Sequence, residues 1–184
     1  MSIRKIKPYK SSDFIQKTID IDRKISYIAD LNDLAAHKDE FTKREYLSIY
    51  QSFAEVDIWD DASWEERKIL SPIIDFFYDH NNCPVLIYPR FEPLDSEESI
   101  FRYDEDEIPI ELQKKLSTKG MTDESIGVFL NSVINFCYKY DLNEEDIILN
   151  FSNIGWNKIF GTRIIDFGLT NEINKIFQED YIDS

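Results

Sequence analysis

Two oxygen-bearing side chains near the carboxyl end stand where a divalent cation could be held. Asn153 lies in Asn150-Phe151-Ser152-Asn153-Ile154-Gly155-Trp156, and Asp166 in Arg163-Ile164-Ile165-Asp166-Phe167-Gly168-Leu169. Ile154 to Trp156 and Arg163 to Ile165 read as short strands joined by the turn-prone Asn157-Lys158-Ile159-Phe160-Gly161. Ligands at the ends of neighbouring hairpin strands converge on one point, and hard cations prefer amide and carboxylate oxygens. The plain alternative is a strand end followed by a glycine turn, since Asp-Phe-Gly alone is a weak signal.

Other chemistries find less material. His37 and His80 are the two histidines, too few for a His-rich metal site and poor support for a hydrolase built on Ser152. Cys83 and Cys137 can pair only once and are expected as free thiols, with Cys137 on an apolar helix face. Trp59, Trp64 and Trp156 suit either a binding surface or half-buried packing.

The elements that would position Asn153 and Asp166 follow from periodicity and caps. Phe14, Ile21, Ile25, Ile28 and Ala35 recur at helical spacing from Ser12 to about Ala36, although Ile19, Ile21 and Ile25 would also suit a strand. Thr42-Lys43-Arg44-Glu45 fits a capping box, opening a helix that carries Glu55 and ends near Trp59. Ser63-Trp64-Glu65-Glu66 is a second box, and Pro72 closes its short helix. Ile73 to Tyr78 and Pro84 to Pro89 read as a hairpin around Asp79-His80-Asn81-Asn82. Thr122 or Asp123 caps a helix over 123–138, Ile147 to Leu149 reads as a strand, and Thr170 to Phe177 as a last helix. Helices outnumber hairpin strands, which predicts an α+β fold in a single domain, 1–184, with a basic helical arm at about 1–36.

Composition removes further classes. The 184 residues carry 36 acids against 21 Lys and Arg, a net charge of −15, so direct nucleic-acid binding is not expected. Apolar runs are too short to span a membrane, and the start lacks a signal core, which predicts a cytoplasmic protein. All five glycines lie at Gly120 or beyond, so no Gly-rich phosphate loop precedes them. Between Glu92 and Glu111 nine acids face the single Arg102, which reads as a solvated loop or a docking surface for a basic partner.

The segment 150–169 resembles the catalytic-loop and Asp-Phe-Gly region of protein kinases, especially small kinase-like proteins of phages and prokaryotes. The resemblance implies that Asn153 and Asp166 hold magnesium against the phosphates of ATP, and that Glu55 pairs with the lysine that binds the nucleotide. It also implies that Pro84 to Arg90 runs into a hinge between lobes. Three departures bear on activity. Five residues before Asn153, where the kinase pattern has its proton-accepting Asp, stands Ile148. Asp146 is the nearest substitute, two residues further away. No Val-x-x-Lys strand before Glu55 offers the phosphate lysine; Lys38 and Lys43 are candidates with no strand to place them. From Gly168 to Ser184 there is room for one helix and no peptide-substrate lobe.

The expected function is therefore that of a reduced, inactive kinase-like protein, a pseudokinase acting as an acidic protein-binding module of the inhibitor, antitoxin or immunity type. Its partner would be a protein with a basic surface, and its cofactors ATP and magnesium, or none. An active phosphotransferase using Asp146 is the second reading. A DNA mimic that inhibits a nucleic-acid-binding enzyme is the third.

Overall fold

The computed structural model describes residues 13–19, 21–95, 108–148, 150–173 and 175, apart from the side chains at 108, 109, 145 and 146. The fold is α+β: among the described residues there are six α-helices and two antiparallel three-stranded sheets. In the first sheet β3 (Pro84–Pro89) lies between β1 (Phe14–Thr18) and β2 (Asp75–Tyr78), both antiparallel to it. All six residues of β3 are buried, as a central strand covered on both faces requires. The β2–β3 turn is built as the sequence predicts. The Asp79 side chain accepts from the Asn81 and Cys83 amides at 2.8 and 2.9 Å, and Asn82 takes a left-handed φ of 65°.

The expected amphipathic helix from Ser12 to Ala36 is corrected, and with it the helical arm. From Asp13 onward the chain forms β1, then irregular backbone, then only the short α1 (Leu31–Ala36). The cause is tertiary pairing. Asn81 Nδ2 donates to the Ile21 carbonyl, Asn82 Nδ2 to that of Ile25, and the Tyr78 hydroxyl to that of Ile28. These bonds tie down an extended segment whose Ile21, Ile25 and Ile28 are all buried. Residues 1–12 of that arm lie outside the described residues.

Helix α2 (Lys43–Asp61) is the element both halves share. Thr42 and Glu45 exchange both capping-box bonds, and 19 residues make a rod about 28 Å long. Its first turns bury Tyr46, Leu47, Ile49 and Phe53 in one core with Leu34 and Cys83. Its last turn places Ile58 in a second core with α4 (Ile108–Thr118) and α5 (Asp123–Lys139). At the carboxyl end Arg67, from the capping-boxed α3 (Trp64–Arg67), donates to the Trp59 and Asp60 carbonyls at 3.0 Å. A cation there satisfies orphan carbonyls and offsets the helix dipole.

The second sheet orders β4 (Glu92–Pro93), β5 (Ile154–Asn157) and β6 (Gly161–Ile164). Ser71 N donates to the Ile164 carbonyl at 2.7 Å and Ile164 N to that of Ile69, so the chain after α3 lies along β6. The strand expected at Ile147 to Leu149 is a correction: Glu144–Ile148 form α6 instead, with Leu149 outside the described residues. Ile147 is buried and Ile148 half-buried on the second core, a helical pairing that the short apolar run could not distinguish from a strand. Of the last expected helix, residues 171–173 are helical. Among the described residues no helix is long and apolar enough to cross a membrane. Cys83 and Cys137 are buried free thiols, pushed up by burial to about 11 and about 12.

Candidate functional site

Register decides which side chains meet. Lys17 pairs with Leu86 and Ile15 with Tyr88, so Lys17 and Tyr88 share one face of the sheet. That face looks at α2, where Phe53 meets Phe76 of β2 edge-on and Glu55 follows half a turn later. Lys17 Nζ lies 2.5 Å from Glu55 Oε1 and 3.3 Å from Asp166 Oδ1. The Tyr88 hydroxyl donates to Glu55 Oε2, so both oxygens of that carboxylate are engaged. The Glu55 side chain is 0% exposed, Lys17 31% and Asp166 39%, which leaves the lysine and the aspartate as the groups a ligand can reach.

Asp166 arrives from the second sheet. Ile154 pairs with Ile164, and one step further along Ile165 N donates to the Asn153 carbonyl at 2.8 Å. The backbones of Asn153 and Asp166 therefore stand at the same open end of the β5–β6 hairpin. Beyond Asp166 the backbone is anchored twice. Phe167 is 1% exposed in the second core, edge-on to Phe136. Gly168 packs so tightly on α2 that a Cβ there would fall 2.5 Å from the Gln51 carbonyl oxygen and 3.0 Å from Glu55 Cγ. Asn171 then holds the left-handed Asp141 (φ 52°) at the end of α5 through backbone and side-chain bonds.

Burial pushes the Glu55 carboxyl up to about 7; Lys17 and the Tyr88 hydroxyl draw it back, and the Asp166 carboxylate adds to the rise. Burial also works against the charge on Lys17, but Glu55 and Asp166 outweigh it and hold the ammonium well above the usual lysine range. Burial and the neighbouring Glu55 raise the Tyr88 phenol, which stays protonated and keeps donating. Because the folded Glu55 binds its proton more tightly than an unfolded glutamate, its contribution to stability is complete below about 4.5 and lost as pH rises through about 7.

Of the residues singled out in the sequence, Glu55 and Asp166 meet on one ammonium, and Asn153 reaches that end of the hairpin through its carbonyl, which accepts from Ile165 N. Glu55, being sealed in, acts on a ligand only through Lys17. Asp146 lies within α6, and its side chain is not among those described. Ile148 packs on the second core, so the expected position of a proton acceptor is filled by a core residue. Ser152 Oγ is bonded to Asn150 Oδ1 at 2.5 Å, a local turn contact. Lys38 is exposed, and Lys43 opens α2 about 18 Å along the axis from Glu55, whose carboxylate is paired with Lys17 instead. Lys17 and Tyr88 were missed. The available signal was a β-branched and aromatic run, Phe14-Ile15-Gln16-Lys17-Thr18, with a lysine in phase with Ile15.

Asn153 and Asp166 supply one amide and one carboxylate oxygen. Among the described residues no group of three or more His, Cys, Asp or Glu is placed to hold a metal ion. Comparisons with protein-family models, with curated proteins and with solved structures returned no match, so the reading of the site rests on its geometry.

Proposed function

We propose that the chain is a reduced kinase-like protein that holds a magnesium–nucleotide at Lys17, Asp166 and Asn153 and works as a binding module, without phosphoryl transfer. The observation that carries this reading is the single ammonium of Lys17, placed between a buried helix glutamate and the Asp of Asp-Phe-Gly. A kinase-type site needs the strand lysine paired with its helix glutamate and the metal-binding aspartate in place together. Lys17 presents the cation for phosphate oxygens, Glu55 and Tyr88 fix where that cation sits, and Asn153 and Asp166 offer the metal ligands. Magnesium would neutralise phosphate charge there. Ile148 stands where the kinase pattern has its proton-accepting Asp, and its aliphatic side chain accepts no proton, which is the ground for inactivity.

The test is a melting curve with and without ATP and magnesium. At about tenfold over Kd the ligand stabilises by about 1.4 kcal/mol, about 3–5 °C for a chain of this length. The shift is expected to need magnesium and to vanish in Asp166→Ala. No shift for the native chain removes the nucleotide reading, and steady ADP production that Asp146→Asn abolishes would replace the module by an active phosphotransferase.

The partner proposed for the module is a protein with a basic face, drawn by a net charge of −15. Residues 96–107, the centre of the acidic run, lie outside the described residues. Co-purification at 50 mM salt that fails at 500 mM is the expected result; retention of a partner unchanged by salt would exclude an electrostatic interface.

A further inference from the structure

A nucleoside carried on phosphates at Lys17 and Asp166 has two ways to go: out into water, or along the protein toward the segment Pro89-Arg90-Phe91, where the chain passes from β3 of one sheet to β4 of the other. Phe14, three residues before Lys17 on β1, pairs with Pro89. That segment therefore begins about 10 Å along the strand from the lysine, within reach of a ribose and its base.

The segment has little to offer a base. Pro89 has no N–H, Arg90 N donates to the Asp13 carbonyl at 2.7 Å, and the Arg90 carbonyl accepts from Asn157 Nδ2 at 2.8 Å. Phe91 is 4% exposed, so its own backbone is closed off. A surface on which a base could stack is filled as well. Gly155 pairs with Arg163 across the β5–β6 hairpin, next to Ile165, and a bare glycine leaves room above it. Here that room is taken: a Cβ on Gly155 would lie 2.8 Å from Phe91 Cβ and 3.1 Å from Ile165 Cγ2. Phe91 is itself held by Phe160, with ring centroids 6.1 Å apart.

We infer that the site is blind to the base and that its ligand class is the polyphosphate chain, free or carried on any nucleoside, with the nucleoside left in water. The groups a ligand reaches there, Lys17 and Asp166, are both charged. They suit phosphate oxygens and the cation that accompanies them, and neither separates a purine from a pyrimidine. This inference rests on the proposed reading of the Lys17 site and names what that site takes.

Calorimetric titration of the full chain in magnesium with inorganic tripolyphosphate, ATP, GTP and CTP tests it. The four Kd values are expected to agree within about threefold, and all four ligands should lose binding in Asp166→Ala. A site that reads a base would separate them by about tenfold or more, since one stacked base alone is worth that much. ATP binding about tenfold tighter than tripolyphosphate, GTP and CTP overturns the inference and leaves the proposed site standing. Binding of none of the four overturns both. Tripolyphosphate binding that persists in Asp166→Ala would place the anion elsewhere on the chain and also overturns the inference.

Discussion

Lys17→Met is expected to cost about 3–5 kcal/mol of unfolding free energy at pH 8 and much less at pH 5.5. The argument starts from Glu55, whose side chain is fully buried and whose two oxygens accept from Lys17 and Tyr88. Methionine matches the length of the lysine stem but removes the cation, which leaves a carboxylate in the interior with one neutral donor. An exposed ion pair would lose about 1 kcal/mol or less. A sealed one loses far more, because the remaining charge has no water to fall back on. The variant escapes by taking a proton on Glu55, which moves a pKa already near 7 higher. Between the unfolded value and that raised one the native state binds more protons than the unfolded state, so stability falls as pH rises. The pH slope from 5.5 to 8 should therefore be steeper in Lys17→Met than in the native chain. Adding Glu55→Gln should flatten the slope and recover much of the loss, since a neutral amide can still accept from Tyr88. Urea unfolding of the three proteins at both pH values measures this; a loss under about 1 kcal/mol with no pH slope would mean that water reaches Glu55.

The pair that this experiment probes was only half legible in the sequence, and the reason is physical. Thr42 with Glu45 and Ser63 with Glu66 announce their helices because a capping box is closed within four residues. The β2–β3 and β5–β6 hairpins were legible for the same reason: their turns carry Asp79, Asn82, Asn157 and Gly161, whose side chains or φ values set the reversal locally. Lys17 depends instead on a strand about seventy residues away in sequence. β1 is an edge strand that shows no clean alternation of burial, and only its register against β3 turns Lys17 toward α2. A shift of one residue would point the lysine away from Glu55. Helix α4 was missed although Leu112 and Leu116, both 0% exposed, stand one turn apart, because the acids before them read as solvated loop. For α6, Ile147 and Ile148 sat in a run too short for periodicity, and their burial against α5 settles the conformation.

Gly168→Ala is expected to destabilise the fold by about 2–3 kcal/mol and to remove any nucleotide-dependent shift, although it adds one methyl group. The glycine is required here by proximity. Its Cβ would lie 2.5 Å from the Gln51 carbonyl oxygen and 3.1 Å from the Gln51 carbonyl carbon, both fixed in the middle of α2. A flexible side chain could swing aside; a helix backbone cannot move without giving up its hydrogen bonds. The strain must then be relieved by the segment Asp166-Phe167-Gly168 backing away from α2. Phe167, locked in the core against Phe136, resists on one side, and the 3.3 Å contact between Asp166 and Lys17 is the weakest link on the other. Asp166 should therefore leave the lysine before the core opens, so that the site is lost at a smaller strain than the fold. Gly127→Ala is the control: nothing lies within 4 Å of its Cβ, and in an exposed helix alanine should gain about 0.5–1 kcal/mol. If Gly168→Ala proved as harmless as Gly127→Ala, the close packing of the Asp-Phe-Gly turn on α2, and with it the meeting of Asp166 and Glu55 on Lys17, would have to be abandoned.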